Sequence, residues 1–274
     1  KLFQDMGEAG RATINLSFAG YRVGYRPPVS FLSTAGGAPV MSGSIATGLA
    51  GIGRIALTES DFLTLTPSEE RDWRGSLHWE RDMQGGARWE ASIGHMNHNF
   101  RFTQPAAGAS YQAGAGEWSD QPNQRTDSEF HVRWPVGAQV FVTVGAALNH
   151  QHLDRRTLAS SNWREFNGVY AENSRGSGTG SIAAVFAQAA VQPFDALTLD
   201  VGARIDRFAT RGRVSQNTTP NFVADYATRR EQQFSPKIAA VWSSSPAVTL
   251  RASFGAGFRP PTLLDLYSRT VSPT

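Results

Sequence analysis

The chain has 274 residues, of which 18% are charged, and its formal net charge is +3. So small a charge, carried by scattered rather than clustered basic residues, argues against nucleic acid as a partner. The sequence contains no cysteine, which excludes disulfides, thiolate metal sites and thiol nucleophiles. Its first residues, Lys1 to Asp5, lack the apolar stretch of a signal peptide.

The first sixty residues carry at least one predicted strand, at about residues 11–18. The longest uncharged run, residues 27–53, is long enough to cross a bilayer as a helix. Its prolines and many glycines favour a loop instead. Because no other segment suits a transmembrane helix, this protein would have to enter a membrane as a closed β-barrel.

Alternation with period two recurs along the rest of the chain and predicts β-strands. Residues 197–208 are the clearest case, and residues 72–80, 140–149 and 248–258 repeat the pattern. In residues 197–208, apolar side chains fall on one face and polar or small ones on the other. The apolar set is Leu197, Leu199, Val201, Ala203 and Ile205; the polar set is Thr198, Asp200, Gly202, Arg204 and Asp206.

Connections of two lengths alternate between these strands. Short turns are predicted at residues 82–86, 135–137, 193–196 and 243–246, and long polar loops at about 103–124, 154–179 and 209–232. Outer-membrane barrels separate short turns and long loops in this way, whereas a soluble sandwich has no reason to do so. Strands of about 10 to 12 residues also suit a tilted crossing of a bilayer. We therefore predict an all-β fold, an antiparallel up-and-down transmembrane β-barrel of which this chain forms about nine strands.

Five tryptophans lie near the ends of the expected strands, as the aromatic belts of membrane proteins do. They are Trp73, Trp79, Trp89, Trp134 and Trp242.

Charged and polar residues with the polar parity of their strands are candidates to face the barrel lumen. There they would form hydrogen bonds and ion pairs with other groups in the lumen, or pair with neighbouring acids as scaffold. These candidates are Arg74, His78, Glu80, His131, Arg133, Arg204, Asp206 and Arg251.

Other chemical signals are weak. The pairs His95/His98 and His150/His152 lie near strand ends, and the second pair shares a face that could chelate a soft divalent ion. Beside His150 and His152 the only further ligand is Asp154, so we expect no metal site.

The sequence has no nucleophile elbow, zincin or P-loop motif, and we predict no catalytic residue and no cofactor. Residues 176–180, Gly-Ser-Gly-Thr-Gly, precede a strand rather than a helix, which favours a flexible external loop.

The closing third of the chain contains four segments with motif-like character: "SIAAVFAQAAVQPFDALTL" (181–199), "LTLDVGARIDRF" (197–208), "FSPKIAAVW" (234–242) and "LRASFGAGFRPPTLLDLY" (250–267). In this order and spacing, the segments resemble TonB-dependent outer-membrane receptors. In that family, a barrel strand leads into an Arg-x-Pro-Thr motif, and a Leu-Tyr pair follows that motif. The prolines must end the strand, because they donate no ladder hydrogen bond. We therefore expect the motif to be structural, with Leu263, Leu264, Leu266 and Tyr267 packing locally. Its residues are Arg259, Pro260, Pro261, Thr262, Leu266 and Tyr267.

The resemblance implies a receptor in the bacterial outer membrane that takes up a large scarce nutrient, most often a ferric siderophore. Its implied partners are outer-membrane lipid, TonB and the extracellular cargo, and no nucleic acid. Family members have about 22 strands around an N-terminal plug. We expect residues 1–274 to be part of a single β-barrel domain, without the plug, the TonB-binding segment or the C-terminal strands.

Three alternatives remain open from the sequence alone. The chain could belong to a passive porin, or to a barrel enzyme of the phospholipase or protease type. It could also be a soluble β-sandwich that binds a ligand, in which case a second layer would cover the apolar side of the strands.

Overall fold

A computed structural model describes residues 2–24, 26–46, 51, 53–63 and 66–268 of the chain. Strands dominate these residues, together with three short 3₁₀ turns and one short α-helix, α1 (Leu263–Tyr267). The strands are β1 (Leu2–Asp5), β2 (Arg11–Val23), β3 (Gly43–Ala46), β4 (Arg54–Leu57), β5 (Ser68–Asp82), β6 (Arg88–Pro105), β7 (Gly116–Pro135), β8 (Val140–Ser160), β9 (Val169–Phe194), β10 (Leu197–Gln216), β11 (Phe222–Ser245) and β12 (Val248–Gly255).

Ten of these strands form one antiparallel sheet in the order β1-β2-β5-β6-β7-β8-β9-β10-β11-β12. Each strand therefore pairs with its neighbour in sequence, apart from β3 and β4, which form a separate two-stranded ribbon between β2 and β5. The prediction of an all-β, antiparallel, up-and-down architecture is confirmed. The described strands do not close into a barrel, because the sheet order begins at β1 and ends at β12.

The expected strand lengths were too short. Strands β7 to β11 each have between 20 and 26 residues, and the connections on the long-loop side shrink to residues 106–115, 161–168 and 217–221. Polar residues past the apolar segments continue the ladder, since most of them still pair with a neighbouring strand on both sides. The four short turns lie at residues 83–87, 136–139, 195–196 and 246–247. Each overlaps its predicted range, so the two ends of the sheet still differ.

The glycine run at residues 176–180 was predicted as a loop, and that prediction was wrong. These residues lie inside β9, paired with residues 151–155 of β8 and 210–214 of β10. Strand propensity is low for glycine, but the flanking strands supply hydrogen-bond partners on both sides.

The sheet has two chemically distinct faces. Cross-strand partners share a face, and the apolar face carries large side chains that remain exposed, such as Val185 (58%), Val201 (48%) and Phe234 (55%). No second layer of the described chain covers them, as it would in a sandwich. We call the opposite side, which carries most of the ionisable residues of the short-turn half, the polar face.

Four tryptophans lie on the apolar face near the short turns. Trp79, Trp89, Trp134 and Trp242 lie within a few residues of strand ends there, and Trp79 packs edge-on against Trp89 at 4.9 Å. Trp73 does not lie at a strand end as expected, because β5 begins at Ser68.

Buried apolar side chains are few among the described residues, and most of them gather in two clusters. One joins α1 to the sheet through Leu153, Val214, Leu263 and Tyr267. The other holds Leu63, Ala109 and Trp163 together among the connections. None of the helices in the described residues has the length and apolar character needed to cross a membrane.

Candidate functional site on the polar face

The register places all eight candidate residues on the polar face, although they do not form one cluster. Glu80 lies opposite Glu90, which in turn lies opposite His131, and Arg204 lies in the same row across β8 and β9. The eight residues are divided among four strands. Arg74, His78 and Glu80 lie on β5, His131 and Arg133 on β7, Arg204 and Asp206 on β10, and Arg251 on β12.

An ionic network surrounds the first of these groups near the short turns. Glu80 and Glu90 face each other across strands, an arrangement that repels unless cations intervene. Arg88 supplies that charge: it forms an ion pair with Glu80, and its Nε lies 3.3 Å from Oε1 of Glu90. Arg11 lies 3.3 Å from Glu80 on the other side.

Two histidines complete this network. The Nε2 atom of His78 lies 3.5 Å from Glu80 and 3.8 Å from Glu90. The Nε2 atom of His131 lies 3.7 Å from Glu90. The sequence suggested His78, Glu80 and His131 individually, but Arg11, Arg88 and Glu90 join them only through the register of four strands.

A second polar group lies further along β5 and β6. His98 Nδ1 lies 2.7 Å from Asp72 and 3.7 Å from Glu70, and Arg74 lies 3.6 Å from Asp72. The sequence pairs His98 with His95, but the structure places the two on opposite faces. His95 stacks on Trp73 with a centroid distance of 5.0 Å.

Further pairs lie toward the centre of the sheet. Arg204 donates to Asp206 at 2.9 Å and lies 5.8 Å from the ring centre of Phe186. Arg133 lies 4.9 Å from the ring centre of Phe141. Each of these arginines thus has its charge partly compensated by a carboxylate or by the face of an aromatic ring.

Two groups could hold a divalent cation: Glu70, Asp72 and His98, and His78, Glu80 and Glu90. In each group, three potential ligand atoms lie within 4.8 Å of one another. An arginine already pairs with each group, Arg74 with the first and Arg88 with the second. His150 and His152 belong to no group of three potential ligands within the described ranges, and His150 bonds Ser181 instead.

Helix α1 is seated on the polar face. Pro260 and Pro261 follow the end of β12, and Thr262 then caps the helix. Leu263 and Tyr267 are buried against β8, β9 and β10, whereas Leu264 is 39% exposed.

The helix fits there because the strands beneath it carry glycines. A Cβ atom on Gly178 would lie 2.4 Å from the Tyr267 ring, and one on Gly180 would lie 3.2 Å from Leu263. Nothing in the sequence showed that the glycine run and the Leu-Tyr motif meet.

The cap of α1 is a reciprocal pair of hydrogen bonds. The Thr262 hydroxyl donates to Asp265 Oδ2 at 2.7 Å and accepts from the Asp265 backbone N–H at 3.2 Å. The Thr262 backbone N–H donates to the same carboxylate at 3.1 Å. Hydrogen bonds from the side chain and then the backbone of Thr262 lower the pKa of Asp265. The charged carboxylate therefore favours the folded helix start.

Two cavities flank this helix on the polar face. One, of about 340 Å³, lies beside Tyr267 and is lined by polar side chains that include Glu117, Arg155, Asn173 and Gln216. The other, of about 750 Å³, lies between the sheet and the segment that leads into α1, with Arg204, Asp206 and Arg259 among its lining residues. The polar face thus offers concave surfaces with hydrogen-bonding and charged groups, and the helix separates them.

A sheet with one uncovered apolar face, one ionic face and short turns at one end is a portion of an up-and-down β-barrel of the membrane type. Comparison with known families agrees. The family model described as "TonB dependent receptor-like, beta-barrel" matches residues 7–274. The chain belongs to this family, whose members are outer-membrane proteins.

Solved structures share the fold at low sequence identity. The ferric-catecholate import receptor Fiu from E. coli K12 superposes with a TM-score of 0.63 at 11% identity, over 92% of this chain and 45% of Fiu. The ferric yersiniabactin uptake receptor FyuA from Yersinia pestis gives 0.59 at 12% identity, over 87% of this chain and 33% of FyuA. For the siderophore receptor PiuA from Acinetobacter baumannii, the values are 0.55 and 12%, with 86% and 38% covered. This chain thus spans less than half the length of these structures. No curated protein matches the sequence significantly.

Proposed function

We propose that this chain forms part of the barrel of a bacterial outer-membrane receptor that takes up a ferric siderophore with energy supplied through TonB. The observation that carries the proposal is the family match over residues 7–274. The names of Fiu, FyuA and PiuA describe import, uptake or siderophore receptors. The function we assign is transport, and no bond of the cargo is broken.

The two faces have complementary roles in this proposal. The apolar face contacts membrane lipid, and the polar face lines the lumen. Arg74, His78, Glu80, His131, Arg133, Arg204, Asp206 and Arg251 are then lumen residues. The motif from Arg259 through Tyr267, including Pro260, Pro261, Thr262 and Leu266, anchors a loop base there rather than binding cargo.

Closure of the barrel requires further strands. The edges at β1 and β12 have unpaired backbone groups, which hydrocarbon does not tolerate. We propose that residues 1–274 belong to a single barrel domain and that strands outside this range complete it around a plug.

The test is uptake of radioactive iron by cells that produce the full-length protein as their single siderophore receptor. A panel of ferric siderophores is supplied, and each strain is compared with its TonB-deficient counterpart. We expect uptake of at least one ferric siderophore, and its loss without TonB. Uptake that persists without TonB would instead support a passive porin. Hydrolysis of lipid or peptide by the purified protein, abolished by one substitution at the barrel rim, would instead support a barrel enzyme.

A further inference from the structure

Three arginines form a compact basic group on the apolar side of β10 and β11. Arg207 and Arg211 are on β10 and alternate with Ala209, so all three share a face. Ala209 lies directly opposite Arg230 of β11. Arg207 therefore lies diagonally across the strands from Arg230, at a spacing of about 7 to 8 Å, and Arg211 lies on the other side of Ala209, where the register shifts between Thr210 and Gly212. We call the three arginines the outer arginine triad.

The triad lies where the apolar band of β10 ends. On the same face, Leu197, Leu199, Val201, Ala203 and Ile205 precede Arg207. At a rise of about 3.3 Å per residue, these five positions cover about 26 Å along the strand. A tilt of about 40° reduces this to about 20 Å, close to the height of the lipid-facing band of a membrane barrel. On β11, Phe234 ends the band, and Arg230 lies two alternate positions beyond it.

The charges of the triad are uncompensated. Within the described ranges, Arg207 and Arg230 form no ion pair and no side-chain hydrogen bond. Arg211 only donates Nε–H to the Thr179 hydroxyl at 3.2 Å. All three side chains are exposed.

Neighbouring arginines on this face behave differently. Arg213 lies 3.7 Å from Asp225, and Arg175 lies 2.7 Å from Asp154. The strands can therefore supply a carboxylate partner for an outward arginine at this height, but they supply none for the triad. Its free guanidinium groups point to an anion from outside the protein.

We propose that the outer arginine triad binds the phosphate-bearing headgroup of a lipid in the outer leaflet. This inference rests on the membrane placement in the proposed function. Lipid headgroups lie at the edge of the hydrocarbon, and the triad directly continues the surface that lipid chains cover. Guanidinium groups bind phosphate oxygens through paired, charge-assisted hydrogen bonds. Each basic residue near an anionic membrane surface adds to the attraction.

The test measures lipid preference at the surface of the full-length protein reconstituted in phosphatidylcholine bilayers. Spin-labelled phosphatidylglycerol and spin-labelled phosphatidylcholine are compared by electron paramagnetic resonance, which resolves the lipid held at the protein. We expect the wild type to prefer phosphatidylglycerol. The variant R207Q/R211Q/R230Q should reduce that preference about threefold or more. The preference should also fall at about 1 M salt, where screening acts over about 3 Å.

A matched control removes three arginines from the polar face. R74Q/R229Q/R251Q changes the net charge equally and should keep the lipid preference of the wild type. Equal loss in both variants, or no preference in a wild type that inserts correctly, overturns the inference alone. Inorganic phosphate binding to the triad in neutral detergent, as tightly as the lipid binds, would overturn it in favour of a soluble anion. A wild type that does not insert into bilayers contradicts the proposed function instead.

Discussion

The ring of Tyr267 occupies the space that a side chain at position 212 would need. A Cβ atom on Gly212 would lie 2.5 Å from Cδ1 of Tyr267. Gly212 and Tyr267 are distant in sequence, yet the missing side chain of one is what admits the other. This contact packs α1 against the sheet. Tyr267 also lines a cavity on the polar face.

Substitution of Gly212 by alanine should weaken the packing of α1 against the sheet. The added methyl group displaces the ring and also approaches the Ser177 carbonyl oxygen, at 2.7 Å. Overpacking of this kind costs about 1 to 3 kcal/mol. Hydrogen exchange of the backbone amides of residues 263–267 should accelerate. G257A is the matched control, because a Cβ atom there has nothing within 4 Å.

A double-mutant cycle then isolates the contribution of the ring. In a Y267A background, G212A should cost less than it does in the wild type, because the ring is gone. Strictly additive costs would show that the alanine acts through the strand backbone and not through Tyr267.

Acid should release the start of α1. The pKa of Asp265 is lowered in the folded protein by the Thr262 side chain and backbone, so this carboxylate contributes stability above its unfolded pKa of about 3.9. The contribution is lost as the pH falls through the lower folded pKa. Exchange of the amides of residues 263–267, corrected for intrinsic rates, should therefore accelerate as the pH is lowered below about 4. In D265N the acid-dependent component should be absent, and an unchanged acid response in that variant would assign the effect to another group.

Removal of Arg88 should destabilise the short-turn end of the sheet. R88Q leaves Glu80 and Glu90 facing each other with less compensating charge. The Arg88 side chain is 39% exposed, so solvent screening limits the expected loss in unfolding free energy to about 1 kcal/mol. Chemical unfolding of the full-length protein in lipid vesicles measures it. R81Q, on the opposite face, should change little, and the difference between the variants should shrink in concentrated salt. An R81Q loss as large as that of R88Q would contradict the assigned network.

A charge at the middle of the apolar band should be costly. Val201 lies midway along that band on β10 and is 48% exposed. V201R should destabilise the folded protein in vesicles by about 2 to 4 kcal/mol, because the arginine enters hydrocarbon. S215R, on the same strand and face but beyond the band, should cost much less. Equal costs, or a monodisperse protein without detergent, would favour a soluble fold.

Period-two alternation, as along residues 197–206, predicted the strands and their faces, and the short turns predicted the up-and-down order. Both signals could be used because they are local properties of the sequence. The same local signals assigned the eight polar-face residues to one side before any register was known. They failed for residues 176–180, where glycine composition indicated a loop. Only pairing with β8 and β10 makes that segment a strand.

Contacts between distant segments were decided by the tertiary structure alone. The sequence contains Glu70, Asp72 and His98, but strand register brings the histidine opposite Asp72 and diagonally across from Glu70. Likewise, Arg230 joins Arg207 and Arg211 because β10 and β11 pair with Ala209 opposite Arg230, and Tyr267 reaches Gly212 because the chain turns back after Pro261. Periodicity specifies which side of a strand a residue faces. Which residue lies beside it depends on the register that turns and packing select over the whole sheet.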